Sequence, residues 1–291
     1  MDMLLFGLPY AGASASIYLR WRVPLQSDIE IVPVELAGRG SRIGEPFYAD
    51  MAEAASDVAG RIKETLARHP DKPYALFGHS MGAKLAYETA LLLCRSGLRA
   101  PVHLFLSGAL PPHIPLERER PATEMSDADW RRELEQKGGT PVELLDDPQA
   151  RELFLPILRA DYTLLERYRP EPPAGELRMP MTVMTGRQEG LAASMDSWSA
   201  YSRGACQVVV CEGGHFFIHE DAETVLRIVR DTLIGLREAD GSVAALKQDV
   251  SPTDHRQEDV RLSDGPASGS RRATGSMTTV VRPHDKGGDT R

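Results

Sequence analysis

Tyr74-Ala75-Leu76-Phe77-Gly78-His79-Ser80-Met81-Gly82 decides the fold of this chain. Four apolar residues read as a buried strand, and they lead without a gap into a Gly-x-Ser-x-Gly turn and then a helical pattern. At such a turn the backbone bends so sharply that the serine is strained and its hydroxyl is lifted clear of the sheet. The flanking glycines permit the bend and the close approach of helix to strand. Ser80 is the candidate nucleophile, although a serine hydroxyl stays weak until a neighbouring base takes its proton. The motif also orders its partners along the chain, with the acid after the serine and the histidine last.

Around this turn, strand-like and helix-like stretches alternate. Residues 4–8, 29–36, 74–77, 102–106, 181–185 and 207–211 read as strands. Asp50, with Glu53 three residues on, predicts a capped helix whose apolar face carries Met51, Ala54, Ala55, Val58, Ile62 and Leu66. The helix after Ser80 runs to a cap at Gly97, and residues 222–236 form a closing helix. This alternation predicts an α/β class with a mostly parallel central sheet covered by helices on both faces. From about residue 115 to 173 the pattern turns purely helical. One helix opens at Ser126 with Asp129 and ends near Gly138-Gly139, a second starts at Thr140-Pro141-Val142-Glu143, and a third at Asp147-Pro148. An insertion placed after a central strand is expected to form a lid over the active site, the alternative being a helical extension of the core. Residues 1–236 then make one catalytic domain, and the polar stretch 237–291 is expected to be a disordered tail.

Composition narrows the function. The net charge is -8, and basic and acidic residues balance beyond position 236, so the whole acidic excess lies in the first 236 residues. A protein of general nucleic-acid affinity needs a net basic face. The first residues lack a basic n-region, and no apolar run approaches the roughly 18 residues of a membrane span. Cys94, Cys206 and Cys211 are an odd set without metal-ligand spacing. These features predict a cytoplasmic protein with reduced thiols, no metal, no cofactor of its own and no membrane or nucleic-acid partner, and a monomer is expected.

His215, in Gly213-Gly214-His215-Phe216-Phe217, is the candidate base: it follows the last strand and precedes the last helix. His219 lacks a glycine turn, His79 is directed elsewhere by the turn, and His69, His103 and His113 come too early. Glu189, in the turn after strand 181–185, is the first carboxylate placed to orient the imidazole, with Asp196 as the alternative. An oxyanion hole needs two N–H donors; Met81, next to the nucleophile, supplies one, and the 8–13 loop the other, through Ala11 or else Tyr10.

Taken together these segments resemble the type II thioesterases that accompany polyketide synthases and non-ribosomal peptide synthetases. The resemblance spans nearly all of residues 4–235. It is carried by Leu8-Pro9-Tyr10-Ala11-Gly12-Ala13, Glu35-Leu36-Ala37-Gly38-Arg39-Gly40 and Phe77-Gly78-His79-Ser80-Met81-Gly82-Ala83, and by Gly138-Gly139-Thr140-Pro141, Leu158-Arg159-Ala160-Asp161 and Gly213-Gly214-His215-Phe216-Phe217. It implies an α/β-hydrolase fold with a helical lid and a Ser-His-acid triad. The implied activity is hydrolysis of acyl thioesters held on the phosphopantetheine arm of acyl or peptidyl carrier proteins. One segment departs from the family, which has Gly-x-x-Asp-Pro where this chain has Gly186-Arg187-Gln188-Glu189-Gly190. The triad residues alone do not separate a thioester from an oxygen ester, so a small-molecule carboxylesterase or acyltransferase is the second reading. A weakly active carrier-protein binding module is the third. Arg20, Arg22, Arg39 and Arg42 are candidates for a basic docking face toward acidic carriers.

Overall fold

The computed structural model describes residues 3–116, 118–138, 142–170 and 177–248. Six strands, β1 (Met3–Leu8), β2 (Ile29–Pro33), β3 (Tyr74–His79), β4 (His103–Ser107), β5 (Met181–Gly186) and β6 (Cys206–Cys211), form one sheet. All neighbours run parallel, in the order β2-β1-β3-β4-β5-β6. The helices are α1 (Arg22–Leu25), α2 (Met51–Arg68), α3 (Met81–Arg95), α4 (Asp127–Lys137), α5 (Pro148–Arg167), α6 (Ala192–Met195), α7 (Phe217–Glu220) and α8 (Ala222–Gln248).

Successive side chains of a strand point to opposite faces, so each strand feeds two cores. Leu4, Phe6, Leu76, Leu104, Leu106 and Val183 pack with α2 and α3. Leu5, Ala75, Phe77, Phe105 and Met184 meet Tyr18, Trp21 and the α8 residues Val225, Val229 and Leu233 on the other face. The inner strands β1, β3, β4 and β5 are buried along their whole length because both faces are covered.

The order reverses beside β1: the chain passes from β1 outward to β2, then crosses back to β3. Ligands of open parallel sheets bind beyond the carboxyl ends of the strands at such a reversal. Here the loop after β1 and the turn after β3 meet.

β2 ends at Pro33, short of the 36 expected: Val34 N–H makes one more bond, to the Gly7 carbonyl at 3.0 Å, and its partner strand β1 stops at Leu8. The segment between β4 and β5 is helical, with its own apolar cluster of Ala122, Met125, Trp130, Leu134, Leu145, Leu155, Leu158 and Tyr162. Ser126 and Asp129 form a reciprocal capping box at the start of α4. The helix expected from Thr140 is instead a single 3-10 turn at Val142–Leu145, and residues 139–141 lie outside the described residues. The last helix runs to Gln248, past the expected boundary at Leu236. Glu238, Ala239, Ala244, Ala245 and Leu246 are good helix formers that outweigh the polar composition of this stretch. The expected tail from 249 onward lies outside the described residues. Among the described residues no helix is long and apolar enough to cross a membrane.

His103 on β4 is 4% exposed and its Nε2 meets Thr182 Oγ1 at 2.8 Å. Burial holds its pKa down to about 4, so the folded protein keeps it neutral where the unfolded chain protonates. The unfolded state therefore binds the extra proton between pH 6.5 and about 4. Stability should fall with falling pH across that window by about 1.4 kcal/mol per unit from this group. Urea titrations at stepped pH check this, and His103→Gln should flatten that part of the slope.

Candidate active site

Ser80 has φ 54° and ψ -116°, the one positive φ at a non-glycine among the described residues. Such a conformation persists only where its surroundings impose it. Ser80 N–H donates to the Ser107 carbonyl at 2.7 Å, and a Cβ at Gly78 would be driven into the backbone of Gly82 and Ala83. A Cβ at Gly82 would strike the carbonyls of Leu8 and Pro9. Both glycines are thus required by backbone contacts, as the turn motif implies.

His215 lies in the loop between β6 and α7. Glu220 fastens that loop by accepting from Gly214 N–H at 2.8 Å, and Gln188 N–H donates to the Gly213 carbonyl at 3.0 Å. The second bond ties the His215 loop to the turn after β5 that carries Glu189. His215 Nε2 stands 3.1 Å from Ser80 Oγ, and His215 Nδ1 stands 2.7 Å from Glu189 Oε1. With Nδ1–H donated to the carboxylate, Nε2 is left to accept the serine hydroxyl. The other Glu189 oxygen accepts from Gly186 N–H and from the Thr185 hydroxyl, each at 3.2 Å. Burial pushes the Glu189 carboxyl up, but the hydrogen bond and charge of His215, with the Gly186 and Thr185 donors, bring it below its ordinary value.

Glutamate fits because the residues after β5 wind into a 3-10 turn, Arg187–Glu189, from which its carboxylate reaches back to Gly186 and Thr185 and across to His215. Asp196, the alternative acid, is exposed at the start of another 3-10 turn and is not brought to His215. Ala11 and Met81 line one cavity with Ser80, Glu189 and His215; its volume is about 560 Å³. Ala109, Leu110, Leu116, Leu165 and Leu191 supply much of its apolar wall, and Lys137 and Tyr162 reach it from α4 and α5.

The other histidines are committed elsewhere. His219 Nε2 meets Tyr10 Oη at 3.1 Å, and His113 Nδ1 meets Tyr201 Oη at 2.8 Å. His79 is fully buried, with Nδ1 2.9 Å from Ser107 Oγ and its ring 5.2 Å from that of His215. Burial, then the neighbouring His215 and His219, hold its pKa well below the ordinary value.

Two of the four arginines expected on a docking face are inside the molecule. Arg39 is 2% exposed and grips Asp161 of α5 with two bonds, Nη1 at 2.5 Å and Nη2 at 2.6 Å. Asp161 also accepts from Gly12 N–H at 2.7 Å, beside Ala11. Arg42 is held by Glu45, Asp57 and Tyr48. Arg20 and Arg22 remain exposed. Arg39 and Asp161 belong to separate sequence motifs 122 positions apart, and nothing local pairs them.

A parallel sheet with a strained serine between a strand and a helix, a histidine beyond the last strand and a carboxylate between them defines an α/β-hydrolase. A family model for the thioesterase domain matches residues 4–233. The chain belongs to the thioesterase family, and its activity is hydrolysis of thioesters. It is 36% identical over 239 residues to "Linear gramicidin dehydrogenase LgrE" of Brevibacillus parabrevis, covering 80% of this chain and 88% of that one. It is 35% identical to RedJ, a thioesterase from the prodiginine biosynthetic pathway in Streptomyces coelicolor. That structure superposes with a TM-score of 0.70 over 79% of this chain and 90% of RedJ. YbtT, a type II thioesterase from the yersiniabactin pathway, is 31% identical, with a TM-score of 0.69 over 78% of this chain and 91% of YbtT.

Proposed function

We propose that this thioesterase releases acyl groups from the phosphopantetheine arm of carrier proteins in a polyketide or non-ribosomal peptide assembly line. The observation that carries the chemistry is the continuous chain from Ser80 Oγ through His215 to Glu189, at 3.1 and 2.7 Å, opening on an apolar cavity. The carrier-bound substrate is supported by the likeness to YbtT, a type II thioesterase of a non-ribosomal peptide and polyketide biosynthetic pathway, and to RedJ, a thioesterase of the prodiginine biosynthetic pathway. The α4–α5 segment, reaching the cavity from above the sheet, acts as the lid.

His215 Nε2 takes the Ser80 proton as Oγ attacks the thioester carbonyl. The N–H groups of Met81 and Ala11 stabilise the tetrahedral oxyanion. Glu189 fixes the imidazole tautomer and stabilises the imidazolium. Collapse of the intermediate breaks the C–S bond, and the proton on His215 passes to the departing thiolate. His215 then deprotonates a water that attacks the acyl-Ser80 ester, releasing the free acid and restoring Ser80.

Glu189→Gln keeps the shape and can present its amide N–H to His215, which favours the wrong tautomer. It should lower kcat on an acyl-carrier thioester by about 10³ to 10⁴-fold. Asp196→Asn should stay within about twofold, because an exposed residue away from His215 takes no part in the triad. Steady-state assays of both variants decide the matter. Comparable losses in the two, or none in Glu189→Gln, would remove Glu189 from the role.

A further inference from the structure

Lys84 stands four residues beyond Ser80 on α3. One helical turn separates them, a rise of about 6 Å, and residues so spaced share a face. The side chain is 8% exposed and lines the same cavity as Ser80 and His215. Its ammonium makes one long hydrogen bond, donated to the Ile114 carbonyl at 3.4 Å, and lies 5.7 Å from the centroid of the Tyr168 ring. Among the described residues no carboxylate pairs with it. Glu88, one turn further along α3, accepts instead from the Tyr168 hydroxyl.

The other charged groups around the cavity have hydrogen-bond or ion-pair partners within the protein. Glu189 receives His215, Glu220 receives Gly214 N–H, and Glu135 pairs with Arg131. Lys137 has Glu133 and the Tyr162 hydroxyl, each at 3.0 Å. A buried ammonium without a counter-ion bears a desolvation cost that a methionine of similar length would avoid. In agreement with that cost, burial holds the Lys84 pKa down to about 8. An anion entering the cavity beside it offsets the cost through a weakly screened attraction.

We propose that Lys84 is a specificity-determining residue that selects acyl groups bearing a carboxylate. Its ammonium would pair the free carboxylate of a dicarboxylic acyl chain whose other end is presented as the thioester to Ser80. This rests on the Ser80 mechanism given above. A lysine that only braced the 109–116 segment through Ile114, or only added positive potential at the reacting carbonyl, would affect charged and neutral acyl chains alike.

The test is kcat/KM of the wild-type protein and of Lys84→Met and Lys84→Arg on N-acetylcysteamine thioesters. Malonyl, succinyl and glutaryl substrates are compared with propanoyl, butanoyl and pentanoyl, matched in carbon number. In the wild type at least one carboxyacyl substrate should outrun its alkanoyl partner. Lys84→Met should lower that ratio by about tenfold or more, while Lys84→Arg retains most of it. Two results would overturn the assignment: a wild type that favours the alkanoyl partner in every pair, which needs no variant to fold, or a ratio that Lys84→Met leaves in place. Intact-protein mass spectrometry separates the two levels. If no substrate leaves an acyl group on Ser80, the mechanism fails and this inference with it. Alkanoyl adducts on Ser80 with an unmoved ratio overturn the role of Lys84 alone.

Discussion

Ser80→Ala is expected to lower thioester hydrolysis by roughly four to six orders of magnitude, leaving only what the oxyanion donors and substrate binding contribute. Alanine has no atom to form the acyl-enzyme, and His215 then has no hydroxyl to accept from. The fold should survive the change. The Ser80 backbone is held by its N–H bond to Ser107 and by the absence of side chains at Gly78 and Gly82, and none of these involves Oγ. The positive φ costs an alanine about what it costs a serine. Thermal unfolding of the variant should therefore match the wild type while initial rates collapse. A variant retaining more than about a thousandth of the rate would mean that water, activated by His215, attacks the thioester directly.

Asp161→Ala is expected to destabilise the protein by about 3 to 5 kcal/mol, the range for breaking a buried ion pair from one side. Its carboxylate receives three donors: both terminal nitrogens of Arg39 and the N–H of Gly12. Removing it strands a guanidinium that is 2% exposed, whose remaining contact is a 3.4 Å bond to the Ala13 carbonyl. The double change Arg39→Met, Asp161→Leu should recover a large part of the loss, because no unpaired charge is left inside. Asp161 also ties α5 to the loop that carries Ala11. In Asp161→Asn, which can still accept from Gly12 but bears no charge, kcat should fall more than KM rises. Urea unfolding together with steady-state kinetics reads both effects. A loss under about 1 kcal/mol in Asp161→Ala would show that water reaches Arg39 readily.

The strands and the serine turn were legible because their signals are local. The apolar runs of the buried strands and the glycines two positions either side of Ser80 each lie within a short window of sequence, and the motif itself sets the order serine, acid, histidine. Glu189 was legible as a position, but its fit was not. The 3-10 turn that compensates for its extra methylene depends on bonds to Gly186, Thr185 and Gly213. Arg39 and Asp161 escaped pairing for the same reason, since their contact is made only when α5 folds over the β1 loop. Arg39 and Arg42 read as surface charges because arginine is usually exposed, and only the tertiary structure supplies the carboxylates that bury them. Lys84 gave no signal at all. On the sequence it is one of several polar residues, with Glu88, Thr89 and Arg95, in a largely apolar helix, and its place in the cavity is fixed by the turn that starts that helix at Ser80.

The most direct test of the central claim uses an acyl group loaded on the phosphopantetheine arm of a carrier protein. The same acyl group is offered in parallel as an aryl ester, with rapid quenching and mass spectrometry of both proteins. The expected result is transfer of the acyl mass to the Ser80 peptide, a matching gain of free thiol on the carrier, and a higher kcat/KM for the carrier substrate. Efficient turnover of the aryl ester with the carrier left acylated, or loss of acyl from the carrier with no adduct on Ser80 at any time, would contradict it.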